Sequence, residues 1–233
     1  MKNILKIGLL ITAIILAYLI FNSVNGLVRF GQQKVVRYTD AVAQLSDVAN
    51  AQRLYRGFHG KYTDNLDSLK DYINNGKILM INRRDSSGYV RERGIDVMKN
   101  FTITDTLIST TNVKDSIFGR RSMEDFGFVN VDGKSLPIQM YASYADRIVG
   151  QDSTNIQRDH FFKAWVNKKD VLSGLGNDYI LREMADETSP VKAEVIQVGS
   201  DTRPTLEGNW SSELDAALKV KRDRQLMRAS ARN

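Results

Sequence analysis

The sequence predicts an α+β protein: an N-terminal transmembrane helix continuing into an amphipathic stalk helix, then a mostly antiparallel β-rich domain, then a basic C-terminal helix. Three observations carry this. Residues 7–28 contain no charged side chain. From residue 34 to 59, apolar side chains recur every three or four positions, which is the helical period. After residue 77 the pattern changes to short runs rich in β-branched and aromatic residues, separated by turn residues, as strands require. Helices first and strands later is an α+β order. The expected division is 1–33 transmembrane anchor, 34–76 stalk helix and short second helix, 77–210 β-rich soluble domain, and 211–233 basic tail.

The uncharged run of residues 7–28 would be roughly 33 Å long as a helix, enough to cross a bilayer core. Lys2 and Lys6 precede it, and Tyr18 and Phe21 lie toward its far end, where snorkelling lysines and interfacial aromatics are favoured. The sequence after Phe21 is Asn22-Ser23-Val24-Asn25-Gly26. It offers no small-x-small cleavage site, so an uncleaved anchor is expected over a removed signal peptide. Lys2 and Lys6 on one side nearly balance Arg29, Lys34 and Arg37 on the other. The short N-terminal tail then favours an inside N-terminus and an exported domain.

The stripe of the stalk is Val35, Tyr38, Val42, Leu45, Val48, Ala51, Tyr55 and Phe58. It suits packing on the protein's own domain or a seam with a neighbouring subunit, for which Val42, Leu45, Val48 and Tyr55 are the candidate residues. Fewer than four heptads favour the first. Gly57 and Gly60 end the helix. Thr63 is placed to cap a second helix with Leu66, Leu69 and Ile73 on its apolar face, and Gly76 closes it.

Strands are expected at 77–81, 101–108, 113–118, 126–131, 136–144, 161–166 and 193–198, with a helix at 175–184. Asp132-Gly133 between two of these runs signals a hairpin turn. The tail from residue 213 is rich in helix formers but has only a weak stripe of Leu214, Leu218 and Met227.

The chain has 233 residues, a net charge of +6 and no cysteine. That excludes disulfides, thiolate metal sites and cysteine nucleophiles. Its two histidines, His59 and His160, stand about 100 residues apart, and no acid lies at zinc-ligand spacing from either. Gly174-Leu175-Gly176 lacks the third glycine of a nucleotide fingerprint. Glu183, Asp186 and Glu187 read as a solvated helix face, and Trp165 and Trp210 as core or loop anchors. No enzyme, metal or cofactor is expected. The basic pairs Arg83-Arg84, Arg91-Glu92-Arg93 and Arg120-Arg121 each have acids nearby, so a nucleic-acid surface is not expected. The tail is the stronger basic feature. Lys219, Lys221, Arg222, Arg224 and Arg228 face a single Asp223 there and are candidates for contact with an anionic surface.

Ala51-Gln52-Arg53-Leu54-Tyr55, Gly60-Lys61-Tyr62-Thr63 and Leu66-Asp67-Ser68-Leu69 behind a membrane helix resemble the N-terminal part of type II secretion pseudopilins. With Val198-Gly199-Ser200, Pro204 and Gly208-Asn209-Trp210, the chain resembles a family of single-pass membrane proteins from Bacteroidota. The resemblance spans roughly residues 1–82 and 160–210 and carries no chemistry with it. The prepilin peptidase motif is absent: Gly8 is followed five residues later by Ala13, where prepilins have glutamate. Exported Bacteroidota proteins are O-glycosylated at Asp-Ser/Thr before an apolar residue or Thr. This resemblance therefore makes Ser68, Thr106, Ser116 and Ser153 candidate glycosylation sites. Chance would give about one such motif at this composition. The expected role is a non-enzymatic envelope protein, a structural or scaffolding subunit of a secretion or pilus-like assembly in the bacterial inner membrane. Its partners would be the membrane and other envelope proteins or further copies of itself. The alternative is a membrane-tethered binding module using the basic tail on nucleic acid or anionic lipid.

Overall fold

A computed structural model describes residues 2–92, 95–119, 121–148 and 156–230. The segments expected as anchor and stalk form one helix, α1 (Lys2–His59), of 58 residues, or about 87 Å. Its two halves have different surroundings. Every large apolar side chain described between residues 7 and 28 is at least 50% exposed. The segment is long and apolar enough to cross a bilayer.

From Phe30 onward α1 enters the domain. Tyr38, Ala41, Val42, Leu45, Val48 and Ala51 are fully buried, and Thr39, Asp47 and Gln52 are buried on its other sides. Helices and strands of the domain pack around α1, so the stripe belongs to the rod at the centre of the core. Gly60, at φ +75°, ends α1 and donates its N–H to Arg56 O at 2.8 Å. The second helix, α2 (Leu66–Asn75), is capped by Asn65 rather than Thr63. Asn65 Oδ1 accepts the N–H groups of Asp67 and Ser68, while Thr63 Oγ1 accepts that of Asn65. Leu69, Tyr72 and Ile73 bury its apolar face.

Strands β1 (Lys77–Glu92) and β2 (Ile95–Asn112) form one antiparallel hairpin, far longer than the two runs expected. At about 3.3 Å per residue it reaches roughly 50 Å. Ile78 at its base packs on the core, but none of the described side chains of β1 and β2 is buried. It is a two-stranded sheet, open along both edges.

Residues 113–118 are the short helix α3 (Val113–Phe118), not a strand. The reason is spacing: Val113, Ile117 and Phe118 stand at i, i+4 and i+5, a helical pattern, and they pack inward. Strands β3 (Phe128–Val131) and β4 (Lys134–Pro137) form the expected Asp-Gly hairpin. Asp132 and Gly133 are both at positive φ, as a type I′ turn requires. The run 136–144 is split after Pro137, because Ile138 gives its N–H to Gly127 O at 2.9 Å. Strand β5 (Gln139–Ile148) follows and pairs with β6 (Ile156–Asn167), which pairs in turn with β7 (Val195–Ser200). Phe162, Ala164 and Val166 of β6 alternate into the core. β7 covers β6 only from residue 162, so the distal parts of β5 and β6 form a second two-stranded arm.

Helices α4 (Lys168–Val171) and α5 (Asn177–Ala185) lie between β6 and β7 in the chain. Residues 205–210 then fold back along β7. Gly199 N–H bonds Glu207 O and Asn209 N–H bonds Gln197 O, while the Asn209 side chain accepts from Gln197 N and donates to Val195 O. The Gly-Asn-Trp segment thereby satisfies the outer edge of β7, and the Trp210 indole donates to Asp215 at 2.7 Å. The final helix, α6 (Ser212–Ser230), crosses α1 with Leu214 and Leu218 buried.

Candidate functional site

The densest polar cluster in the core is built on Glu183. The alternation of β6 through residues 162, 164 and 166 continues inward to Lys168 at the start of α4, which is 1% exposed. Its Nζ donates to Glu183 O at 3.0 Å, Ser189 Oγ at 2.9 Å and Val191 O at 2.9 Å, and lies 3.8 Å from the Glu183 carboxylate. Glu183 Oε1 accepts Ser189 Oγ–H at 2.6 Å and the Tyr38 hydroxyl at 3.1 Å. Its Oε2 accepts Lys34 Nζ at 2.7 Å. Burial holds the Lys168 ammonium below the usual lysine range, although Glu183 works the other way. Burial and then the Glu183 charge push the Tyr38 phenol far above its own range.

A serine beside a lysine is also the arrangement of some nucleophilic hydrolases. Here Ser189 is 3% exposed and its hydroxyl donates to Glu183, while the three protons of Lys168 are all given to oxygens. Both groups are thereby committed to bonds within the core. The cluster holds α1, α4, α5 and the 189–191 segment together.

Glu183 was expected on a solvated face. The signal against this is in the sequence: Ile180, Glu183 and Met184 share one side of α5 by i, i+3, i+4 spacing, so the carboxylate lies on the apolar side. Asp186 and Glu187 are exposed as expected, and hydrogen bonds from Thr188 hold the Asp186 carboxyl below its usual range.

A second charged cluster joins α1 to α6. Asp47 is buried and accepts two bonds from Arg121, at 2.7 and 2.9 Å, and one from Arg222 at 2.9 Å. Lys221 pairs with Asp40. These groups line a cleft of about 270 Å³. Its three cations, Arg121, Lys221 and Arg222, are matched by Asp40, Asp47 and Asp125, which leaves no net charge to attract an ionic ligand. Arg37 plays a similar part nearby, donating to Val171 O, Ser173 O and Asp132.

The candidate residues fall as follows. Val42, Leu45 and Val48 are fully buried in the protein's own core, so they are closed to a neighbouring subunit. Tyr55 is half-buried, edge-on to Tyr72 at 5.3 Å. Of the tail cations, Lys221 and Arg222 point inward to Asp40 and Asp47, while Lys219, Arg224 and Arg228 are exposed. Ser68, Thr106 and Ser116 are exposed; Ser153 lies outside the described residues, as do Arg93 and Arg120. His59 packs among Tyr55, Phe58 and Tyr72. His160 sits 6.1 Å from the Tyr144 ring, and burial, then Arg56 and Arg158, hold it below the usual histidine range. Among the described residues no group of three or more His, Cys, Asp or Glu side chains is placed to hold a metal.

No protein-family model matches the chain, and no curated protein or solved structure matches it either. Met80, Tyr89, Met98, Phe101, Leu107 and Ile108 on the β1–β2 arm are exposed, on a hairpin to which no further strand pairs among the described residues.

Proposed function

We propose that the protein is a non-enzymatic, single-pass component of a bacterial envelope membrane, a structural or scaffolding subunit whose domain lies on the periplasmic side. The observation that carries this reading is the β1–β2 arm. A two-stranded ribbon exposed on both faces is marginal in water by itself, and open edges with apolar side chains are a template for strand addition or for packing by another chain. A projecting hairpin of roughly 50 Å therefore belongs in contact with something. The likeness to pseudopilins and to Bacteroidota single-pass proteins favours a secretion or pilus-like assembly as that setting, with other envelope proteins or further copies as partners. A buried Glu183 cluster and a charge-balanced Asp47 cluster, both committed to bonds between elements of the fold, favour a scaffold over an enzyme.

The test is photo-crosslinking in native membranes from Tyr89 and Met98, which face each other across the hairpin. Adducts larger than the monomer at these positions, and none from the base at Ile78, are expected. A chain that stays monomeric at both positions would overturn the reading. Protease accessibility in intact spheroplasts checks the side: cleavage before lysis is expected.

A further inference from the structure

We infer that the flank of α6 facing the anchor, with Val220, Arg224, Met227 and Arg228, rests on the anionic head-group surface of the membrane that α1 enters. The inference builds on the anchor reading above.

The domain begins at the bilayer rather than on a stalk. Phe30 is buried and stacks on Tyr179 of α5 at 5.4 Å. The two elements are so close at Gly26 that a Cβ there would lie 2.4 Å from the Tyr179 hydroxyl oxygen. Gly26 is still inside the uncharged run. One turn after Phe30, Lys34 is tied to Glu183 at 2.7 Å. The lower rim of the domain is therefore fixed at the level where head groups lie.

α6 presents one flank to that rim. On one side of α6 a groove is lined from α1 by Val35, Val36 and Thr39, and from α6 by Ala217, Val220, Arg224 and Arg228. On the other side, Leu218 and Arg222 line the cleft with Ala43, Gln44 and Asp47 of α1, while Asp40, Lys221 and Gln225 border both. The helix thus crosses α1 near Asp40 with the first flank toward the anchor. Val35 is seven residues past Val28, about 10 Å along the helix axis. The head-group zone of one leaflet is itself about 5–8 Å deep, and arginine side chains reach beyond their backbone.

The chemistry of the flank fits this surface. Val36 is 60% exposed and Met227 71%, beside two exposed arginines. Apolar side chains interleaved with arginine are what an interfacial helix presents to an anionic leaflet. The inward cations Lys221 and Arg222 neutralise Asp40 and Asp47. That leaves Arg224 and Arg228 to face the lipid. Continuity with the bare apolar surface of α1 selects a membrane over a soluble partner.

The chain has no cysteine, so single labels are unambiguous. The full-length protein carrying Met227→Cys with a nitroxide would be reconstituted into liposomes of phosphatidylcholine alone or with 30% phosphatidylglycerol. Accessibility to a neutral aqueous relaxation agent would then be measured. The inference expects at least a threefold drop with phosphatidylglycerol, reversed by Arg224→Gln/Arg228→Gln, and no change for a label at Ser116→Cys. Each basic residue at such a surface is worth on the order of fivefold in affinity, so losing two should shift the contact strongly. Equal accessibility in both lipids, with the protein still floating with the liposomes, overturns this inference and leaves the anchor standing. Failure to float overturns both.

Discussion

Replacing Glu183 with glutamine tests whether the buried cluster holds the fold. The change keeps the shape of the side chain and removes one charge. Two ammonium groups then lose their counter-ion: Lys168, 1% exposed, and Lys34, bonded to Glu183 at 2.7 Å. The hydrogen bonds from Ser189 and Tyr38 weaken as well. Breaking one partner of a buried pair costs about 3–5 kcal/mol, because the other charge stays behind uncompensated. For a domain of this size about 2–4 °C of Tm is lost per kcal/mol, so the expected drop is roughly 6–20 °C. Trp165 and Trp210 supply the signal for urea or thermal unfolding in detergent. Lys168→Met should be similarly costly alone, leaving the Glu183 carboxylate with Lys34 and two hydroxyls. The double variant Glu183→Gln/Lys168→Met should recover at least half of the summed loss, since the two residues share one network. A single-variant loss below about 1 kcal/mol, or strict additivity in the pair, would refute the claim that this charge cluster locks α1 to α4 and α5.

Other outcomes follow from the same geometry. Gly199→Ala should cost about 2–4 kcal/mol in the same unfolding assay, because φ is +79° and the new methyl would lie 2.1 Å from Phe162 O. Excising residues 83–104 and joining Asn82 to Asp105, which face each other, through Asn-Gly should change domain stability by no more than about 0.5 kcal/mol. His160 gives a pH dependence. Its folded pKa lies below 6.5, so between the two values the unfolded chain binds more protons. Stability should therefore fall as pH drops from 6.5 through the folded value and then level off. Urea midpoints from pH 7.5 to 5 should show this slope in the wild type and a flatter one in His160→Gln.

Much of the architecture was legible because local physics and burial agree. The uncharged segment, the Asp132-Gly133 turn and the alternation of Phe162, Ala164 and Val166 each state their structure directly. Residues 113–118 were misread because β-branched and aromatic ends suggested a strand, while the i, i+4, i+5 spacing between them is helical. The length of the β1–β2 arm was illegible: Asn82 to Glu92 is polar except for Tyr89 and Val90, and a ribbon exposed on both faces has no alternation to display. Glu183 was hidden among neighbouring acids, and only its place beside Ile180 and Met184 marks it as inward. Lys221 and Arg222 look like any tail cations until α6 is laid on α1, because Asp40 and Asp47 are 181 and 175 residues away.

The unbroken helix has a mechanical consequence. Its far end at His59 lies 31 residues, or about 46 Å, beyond Val28. With α1 seated in a bilayer as proposed above, no hinge separates membrane from core, and the described domain would pivot with the helix as one lever. Transmembrane helices commonly tilt by about 20°, by an amount that depends on bilayer thickness. Such a tilt would carry the far end sideways by about 16 Å, and the hairpin rooted near it would swing with it. A thinner or thicker membrane would thereby re-aim the arm without any change inside the domain, making lipid thickness an input to whatever the arm meets.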